Sequence, residues 1–171
     1  MLKNSSAGNA HSVSDLSEEL TQVFFKAIQD QDANTVRQLL MDHNKTALTQ
    51  ARWKAPMDVA HYPSGAEVYA FRLLGAYLGP LTGLQFSILI GQDGIAKDIL
   101  DATFVQDIDA TYGGGNTALQ MAVVLEASTI IKALLERGAD KNRENDRGFS
   151  ALSMASNPAL LGESVEEEGE E

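Results

Sequence analysis

Apolar side chains recur along this chain at the spacing of short amphipathic helices. One stripe follows Ser14 and Asp15, which can cap a helix, and it consists of Leu20, Val23, Phe24, Ala27 and Ile28. A second stripe follows the polar segment 30–32 and consists of Val36, Leu39 and Leu40. Since each helix has only one apolar face, the pattern predicts helix pairs that pack against neighbouring pairs.

The clearest pattern is an internal repeat in the C-terminal third of the chain. The sequence GNTALQMA at 115–122 returns as GFSALSMA at 148–155, an offset of 148 − 115 = 33 residues. Between the copies, IIKALLERGAD at 130–140 predicts a second helix that ends at Gly138, because glycine accepts the left-handed conformation common there. Thr117 has the residue type that caps a helix N-terminus. Units that repeat at this period indicate stacked helix pairs.

These copies and the LLERGA segment resemble the ankyrin repeat, which combines G-x-T-P-L-H-x-A with a second helix that ends L-L-x-x-G-A. The resemblance implies an all-α ankyrin-repeat solenoid of about four to five helix-pair units with short β-hairpin loops. Residues 20–40 resemble a terminal unit, with Gln31 where glycine is usual. The resemblance also implies that Leu134 is scaffold and Gln120 partly exposed, so Leu134→Ala should cost several times more than Gln120→Ala.

The middle of the chain fits the repeat less regularly. APMDVA at 55–60 predicts a first helix, a break follows at 62–65, and a second helix is expected from about Ala66 to Tyr77. The spacing from this unit to the next is only 87 − 60 = 27 residues, so the hairpin between them is expected to be largely missing. Residues 43–53 predict an irregular and weakly packed segment.

Composition is that of one domain, since 44% of the 171 residues are hydrophobic. We expect a repeat domain at 14–161, between a disordered arm at 1–13 and a disordered acidic tail at 162–171. Cysteine is absent, which excludes disulfides and thiolate metal sites and fits a reducing compartment, the cytoplasm or nucleus. The first residues predict no signal peptide, and no apolar run reaches the ~20 residues that a membrane span needs.

Charge narrows the choice of partner. The formal net charge is 13 − 24 = −11, and six of the acids lie in the C-terminal tail. A nucleic-acid binder needs a basic stripe, so this balance argues against that class. An acidic surface favours a basic partner or serves solubility alone, and the sequence leaves both open.

Residues that could carry out catalysis are scattered. His11, His43 and His61 lie in separate segments, so no pair has the spacing of a metal site. The three glycines at 113–115 lack the preceding strand and the positive residue of a phosphate loop, and they predict a hairpin tip before a helix cap. Because the chain has no G-x-S-x-G, cysteine nucleophile or Walker sequence, we expect no enzymatic activity, metal or cofactor.

In the ankyrin family, hairpin tips and the exposed sides of the first helices form a concave surface for binding. The resemblance implies that a soluble protein partner contacts the positions that flank the repeat glycine and those that follow the first-helix alanine. In this chain these positions are Trp53, Lys54, Tyr62, Leu81, Leu89, Ile90, Thr111, Asn116, Val124, Leu125, Glu144, Asp146, Arg147 and Phe149.

Four of these positions are apolar and equivalent in adjacent units, namely Leu89, Ile90, Val124 and Leu125. If they are exposed, they predict a partner that inserts apolar side chains, with Trp53, Tyr62 and Phe149 as anchors. The alternative is that the shortened unit or the N-terminal arm covers them. For Trp53, the alternative is packing under segment 43–53.

The sequence therefore predicts a monomeric protein-binding module that acts as an adaptor, an inhibitor or a dedicated chaperone. The alternative is a structural segment of a larger ankyrin scaffold, whose groove continues into further repeats. The resemblance does not separate the two, because ankyrin repeats serve many unrelated functions.

Overall fold

The computed structural model of this chain describes residues 13–42 and 44–162, with side-chain surroundings described from residue 17 onward. This part is mostly helical, as the predicted all-α class requires, and it contains a small two-stranded sheet. Two 3-10 helices are Val105–Asp107 and Pro158–Leu161. The other elements are α1 (Val13–Gln29), α2 (Ala33–Met41), α3 (Lys45–Gln50), β1 (Arg52–Trp53), α4 (Glu67–Leu74), β2 (Leu81–Thr82), α5 (Gly83–Leu89), α6 (Asp93–Ala102), α7 (Ala118–Val124), α8 (Ser128–Glu136) and α9 (Ala151–Met154).

Helix pairs pack on one another in the order of the chain. α1 packs on α2, α5 on α6 and α7 on α8, and each pair contacts the next through both of its helices. α1, α5, α7 and α9 thus form one row of contacting helices, here called the first row. α2, α6, α8 and the 3-10 helix Pro158–Leu161 form the second row. The apolar stripes predicted for α1 and α2 lie in this packing except for Val23, which is 49% exposed; Phe24, Ile28 and Val36 are fully buried.

Side-chain caps begin three of the first-row helices. Thr82 Oγ1 accepts a hydrogen bond from the Gln85 amide, and Gln85 Oε1 accepts one from the Thr82 amide. The same reciprocal pair begins α7 and α9, between Thr117 and Gln120 and between Ser150 and Ser153. These pairs satisfy amides that have no partner within their own helix. The predicted cap at Thr117 is therefore confirmed.

The turns between paired helices share one geometry. A residue in the left-handed region stands at each turn, with φ of 60° at Gln31, 73° at Gly91 and 57° at Glu126. The amide after it donates to a carbonyl five residues earlier, from Asp32 to Ala27, from Gln92 to Ser87 and from Ala127 to Ala122, at 2.8–2.9 Å. The break predicted at Gln31 is confirmed, and a residue with a Cβ occupies this conformation at two of the three turns.

Of the unit predicted at 55–77, the second helix is confirmed as α4, whereas the first helix at 55–60 is wrong, so these residues do not form a helix pair. Residues 55–60 make a single turn, in which the Ala60 amide donates to the Pro56 carbonyl at 2.9 Å. β1 pairs antiparallel with β2, with Arg52 opposite Thr82. Because β1 and β2 flank residues 54–80, their pairing brings the two ends of this segment together. The segment, here called the insert, therefore leaves the stack of helix pairs and returns to it at the same place. The insert explains the 27-residue spacing, since α1 and α2 pack directly on α5 and α6.

Residues 44–53 are more ordered than the sequence predicts. They contain α3 and β1, and Leu48 of α3 is buried. The Trp53 ring stacks on Phe25 with centroids 5.1 Å apart, and it meets Phe86 edge-on at 5.3 Å. Such aromatic pairs stabilise a packed core. Trp53 is therefore half-buried and packs between α1 and α5, so it is neither an open anchor nor packed under segment 43–53.

Two predicted segments fall largely outside the described residues. The arm at 1–13 is described only at Val13, where α1 begins, and the tail at 162–171 only at Gly162. Within the described residues, none of the helices combines the length and the apolar character needed to cross a bilayer.

Candidate protein-binding surface

The insert crosses the first row from the β1–β2 strands to α9. Near its beginning, the Tyr62 hydroxyl lies 3.3 Å from the Tyr112 hydroxyl in the loop before α7. Its helix, α4, packs on α7, and the Tyr69 hydroxyl donates to the Met154 carbonyl at the end of α9 at 3.0 Å. The insert therefore lies over the side of the stack that the resemblance assigns to a partner.

Two buried asparagines fasten the end of α4 to the loops between units. Asn116 Nδ2 donates to the Leu74 carbonyl and Asn145 Nδ2 to the Leu73 carbonyl, both at 2.8 Å. Asn145 Nδ2 also donates to Asn116 Oδ1 at 2.9 Å. Carbonyls in the last turn of a helix have no partner within the helix, so these amides supply one. The sequence analysis placed Asn116 at the partner and did not single out Asn145.

Burial of the first row follows from this cover. Every residue of α5 and of α7 is buried, on all sides of each helix. Second-row helices keep an exposed side, as α6 does at Lys97 and Asp101. A helix that is apolar all round is buried all round, and α7 has the sequence ALQMAVV. That composition was the sequence signal for a covering segment.

The predicted partner positions fall into a buried group and an exposed group, depending on whether the insert covers them. Five of them are buried and are therefore wrong as an open contact surface: Tyr62, Leu81, Leu89, Asn116 and Val124. The physical reason is the insert, which contributes Tyr62 itself, leads into the strand β2 that carries Leu81, and packs over the loops and helices that carry the other three. The interpretation that the shortened segment covers Leu89 and Val124 agrees with the structure.

The remaining positions keep at least part of their surface. Lys54, Glu144, Asp146 and Arg147 are exposed, whereas Trp53, Ile90, Thr111, Leu125 and Phe149 are half-buried. The Arg147 guanidinium lies against the insert, since a Cβ built on Gly75 would be 3.2 Å from its Nε. No single open face brings all of these residues together, because the insert lies between the loop tips and the helix turns.

An open cleft remains where the insert meets the turns of the second and third helix pairs. It encloses about 570 Å³, within the range of ~300–1,000 Å³ that is typical of ligand sites. Ile90 and Leu125 line it, and each is the residue just before the left-handed residue of its turn. This cleft is lined by Asp58, Val59, His61, Pro63, Ala66, Ile88, Leu89, Ile90, Gly91, Asp93, Leu125, Glu126 and Ala127.

Carboxylates surround this cleft. Asp58 from the insert, Asp93 at the start of α6 and Glu126 in the turn after α7 are all exposed. Its lining, within the described chain, includes no lysine or arginine. The ring of His61 is held against its own backbone, with Nε2 3.0 Å from the Asp58 carbonyl oxygen and Nδ1 3.2 Å from that of Tyr62.

Exposed apolar side chains are concentrated on the outer side of the insert. Met57 is 93% exposed, Val68 85% and Tyr77 70%. On α4, Val68 faces solvent, whereas Phe71 is 39% exposed and its ring meets that of Tyr62 edge-on with centroids 6.3 Å apart. Ala70, Leu73 and Leu74 are buried. Exposed apolar groups that share one face mark interaction sites more often than scattered ones do.

The tyrosine pair that joins the insert to the stack is strongly shielded from water. Burial raises the pKa of Tyr62 to about 12, against a small lowering by its hydrogen bond with Tyr112. Burial also raises the pKa of Tyr112 well above its usual value, and the nearby Tyr62 adds to this effect. A phenolate at either position would lose its hydration without gaining a cation.

We expect this pair to make the protein less stable at alkaline pH. Unfolded tyrosines lose their protons near pH ~10, so between about pH 10 and 12 the unfolded chain releases protons that the folded chain retains. The free energy of unfolding that the pair contributes is complete below about pH 10. Above that pH it falls by up to ~1.4 kcal/mol per pH unit for each tyrosine. Urea unfolding of the wild type and of Tyr62→Phe/Tyr112→Phe on both sides of pH 10 measures it. Equal losses in both proteins would contradict this origin.

Within the described part of the chain, no group of three or more His, Cys, Asp or Glu side chains is placed to hold a metal ion. No protein-family model matches the sequence, and no curated protein matches it significantly.

Proposed function

We propose that this chain is an ankyrin-type protein-interaction module in which the insert, rather than the first row of the stack, meets the partner. The observation that carries the proposal is that residues 54–80 fill the side of the stack where an ankyrin protein would bind. The same residues present Met57, Val68 and Tyr77 to solvent. Large apolar groups on the outer side of a segment whose inner side is packed favour a protein contact there.

Repeated local geometry supports the ankyrin-type assignment. The turns at Gln31, Gly91 and Glu126 use the same left-handed residue and the same five-residue hydrogen bond. The reciprocal caps at Thr82 and Thr117 recur 35 residues apart in the sequence, close to the 33-residue period of the repeat. Stacking of equivalent units is the arrangement in which such repeats share one core.

Site-specific photo-crosslinking tests where the partner binds. A benzophenone amino acid replaces Val68 on the insert, Val105 in the loop after α6, or Leu160 in the last layer of the stack. Val68 is 85% exposed, Val105 67% and Leu160 44%, so each probe can reach a partner. In native extract, we expect the probe at Val68 to give a discrete crosslinked protein that the probe at Val105 does not give.

The same three probes separate the proposal from the scaffold alternative. A segment of a larger scaffold would meet its neighbours at the ends of the stack, so it predicts crosslinks at position 160 and none at position 68. Equal crosslinking at positions 68 and 105 would indicate random encounters. Either result would overturn the proposed role of the insert.

A further inference from the structure

The cleft combines an apolar lining with a negatively charged rim, and this combination selects a ligand chemistry. We propose that it binds a short segment of a protein partner that carries bulky apolar side chains flanked by lysine or arginine. The inference rests on the proposed function only in taking the ligand to be part of a protein. It goes beyond that proposal because it names a second contact site and the class of sequence that fits it.

The turns between paired helices form one apolar wall of the cleft. Ile90 and Leu125 occupy the same place in two successive turns, and both are half-buried in the cleft. Val59 and Ala66 of the insert form the opposite wall and are also half-buried. An apolar side chain that enters between the walls would release the water on these surfaces, which favours binding. The cleft is large enough for more than a single small group, with a volume of about 570 Å³.

Three carboxylates give the rim of the cleft its negative charge. Asp58, Asp93 and Glu126 come from three different segments, and no lysine or arginine belongs to this lining in the described chain. Their carboxylates are exposed and can accept charge-assisted hydrogen bonds from a ligand without desolvation of a buried ion. Asp93 lies in the first turn of α6, where the helix dipole offsets part of its charge, so Asp58 and Glu126 contribute most to attraction.

These two features favour a basic, apolar segment over other ligands. An acidic segment would be repelled by the three carboxylates, and a purely basic one would leave the apolar walls in water. Attraction at the rim would mainly raise the rate of encounter, and burial between the walls would slow dissociation. The net charge of −11 extends the same attraction over the whole molecule.

Fluorescence anisotropy with short labelled peptides tests the proposal on the full-length chain. The probe peptide has a Leu-Leu pair between two Lys-Arg pairs. One control peptide replaces the leucines by serine, and another replaces the basic residues by glutamate. We expect the probe to bind and both controls to bind at least tenfold more weakly, a difference of about 1.4 kcal/mol or more. Measurements at low and at ~0.15 M salt separate the electrostatic share.

Paired variants locate the peptide on the protein. Asp58→Asn/Glu126→Gln removes two charges from the rim, and Glu18→Gln/Glu136→Gln removes two from exposed positions on α1 and α8 that do not line the cleft. We expect the first pair to weaken probe binding at least tenfold and the second pair to change it less than twofold. The acidic tail is present in both, so its attraction cancels in the comparison.

Each contrary outcome overturns the inference. Equal weakening by both pairs would mean that the peptide responds to net charge alone. Equal binding of the leucine and serine peptides would mean that the apolar walls are not used, and absence of probe binding would leave the cleft without this role. Crosslinking at position 68 does not depend on these results, so a failure here is distinguishable from a failure of the proposed function.

Discussion

Leu89→Ser/Val124→Ser should strongly destabilise this protein, and we expect the double variant to lose cooperative folding. The two side chains are 2% and 4% exposed, in first-row helices that are buried on every side. Truncating a buried leucine costs ~2–5 kcal/mol. Serine adds a buried hydroxyl, which costs a further ~1–3 kcal/mol where it has no partner. The sum approaches the whole stability of a domain, ~5–15 kcal/mol.

Urea unfolding followed by far-ultraviolet circular dichroism measures this effect. The matched control is Val105→Ser/Leu160→Ser, which makes the same two substitutions where the side chains are 67% and 44% exposed. We expect the control to stay within ~1 kcal/mol of the wild type. Equal stability of the two double variants would mean that the insert does not cover the first row, and the groove would then be open, which is the other of the two alternatives that the sequence left.

Gln120→Ala is the second large effect, and it reverses the expectation drawn from the sequence. Gln120 is fully buried, and its Nε2 donates to the Arg143 carbonyl at 2.8 Å and to that of Phe149 at 3.3 Å. Its Oε1 also accepts from the Thr117 amide at 3.0 Å. The alanine variant leaves the Thr117 amide and the Arg143 carbonyl without these partners, at ~1–3 kcal/mol each. We expect a total loss of ~2–5 kcal/mol, similar to Leu134→Ala.

The control for this prediction is Gln38→Ala on the exposed side of α2. It makes the same substitution in a helix that alanine favours, so we expect a change within ~0.5 kcal/mol. The midpoints of urea unfolding of Gln120→Ala, Leu134→Ala and Gln38→Ala measure these three losses of stability. If Gln120→Ala matches Gln38→Ala, the glutamine bridge between units contributes nothing, and the original expectation of a partly exposed position is right.

Local chemistry explains which parts of the fold the sequence predicts. The cap at Thr117 and the break at Gln31 depend on residues within one helical turn, and both are present. The role of Gln120 depends on Arg143, 23 residues away, and no local pattern contains that contact. A long-range hydrogen bond of this kind is set by the loop that follows, so the sequence predicted a polar position without its partner.

The insert could not be predicted for a related reason. APMDVA at 55–60 has the pattern of a first helix, yet those residues form one turn because the fold of this segment follows from the pairing of Arg52 with Thr82. That pairing joins residues 30 positions apart (82 − 52), beyond any helical or hairpin pattern. The apolar character of Leu89 and Val124 was the available signal, and it was compatible with both an open and a covered surface. Ile90 and Leu125, predicted with them, do line the open cleft.

Pairing of β1 with β2 makes the insert tolerant of added residues. The two strands hold the ends of the insert side by side. The helices before and after the insert are therefore joined as closely as a short turn would join them. Doubling the length of a flexible loop between fixed ends costs only ~0.6 kcal/mol in closure entropy. Residues added at the exposed turn around Ser64 and Gly65 should therefore be tolerated, while the covering side chains keep their places. The chain offers protein engineers a site for grafted recognition loops that lies outside the stacked helices.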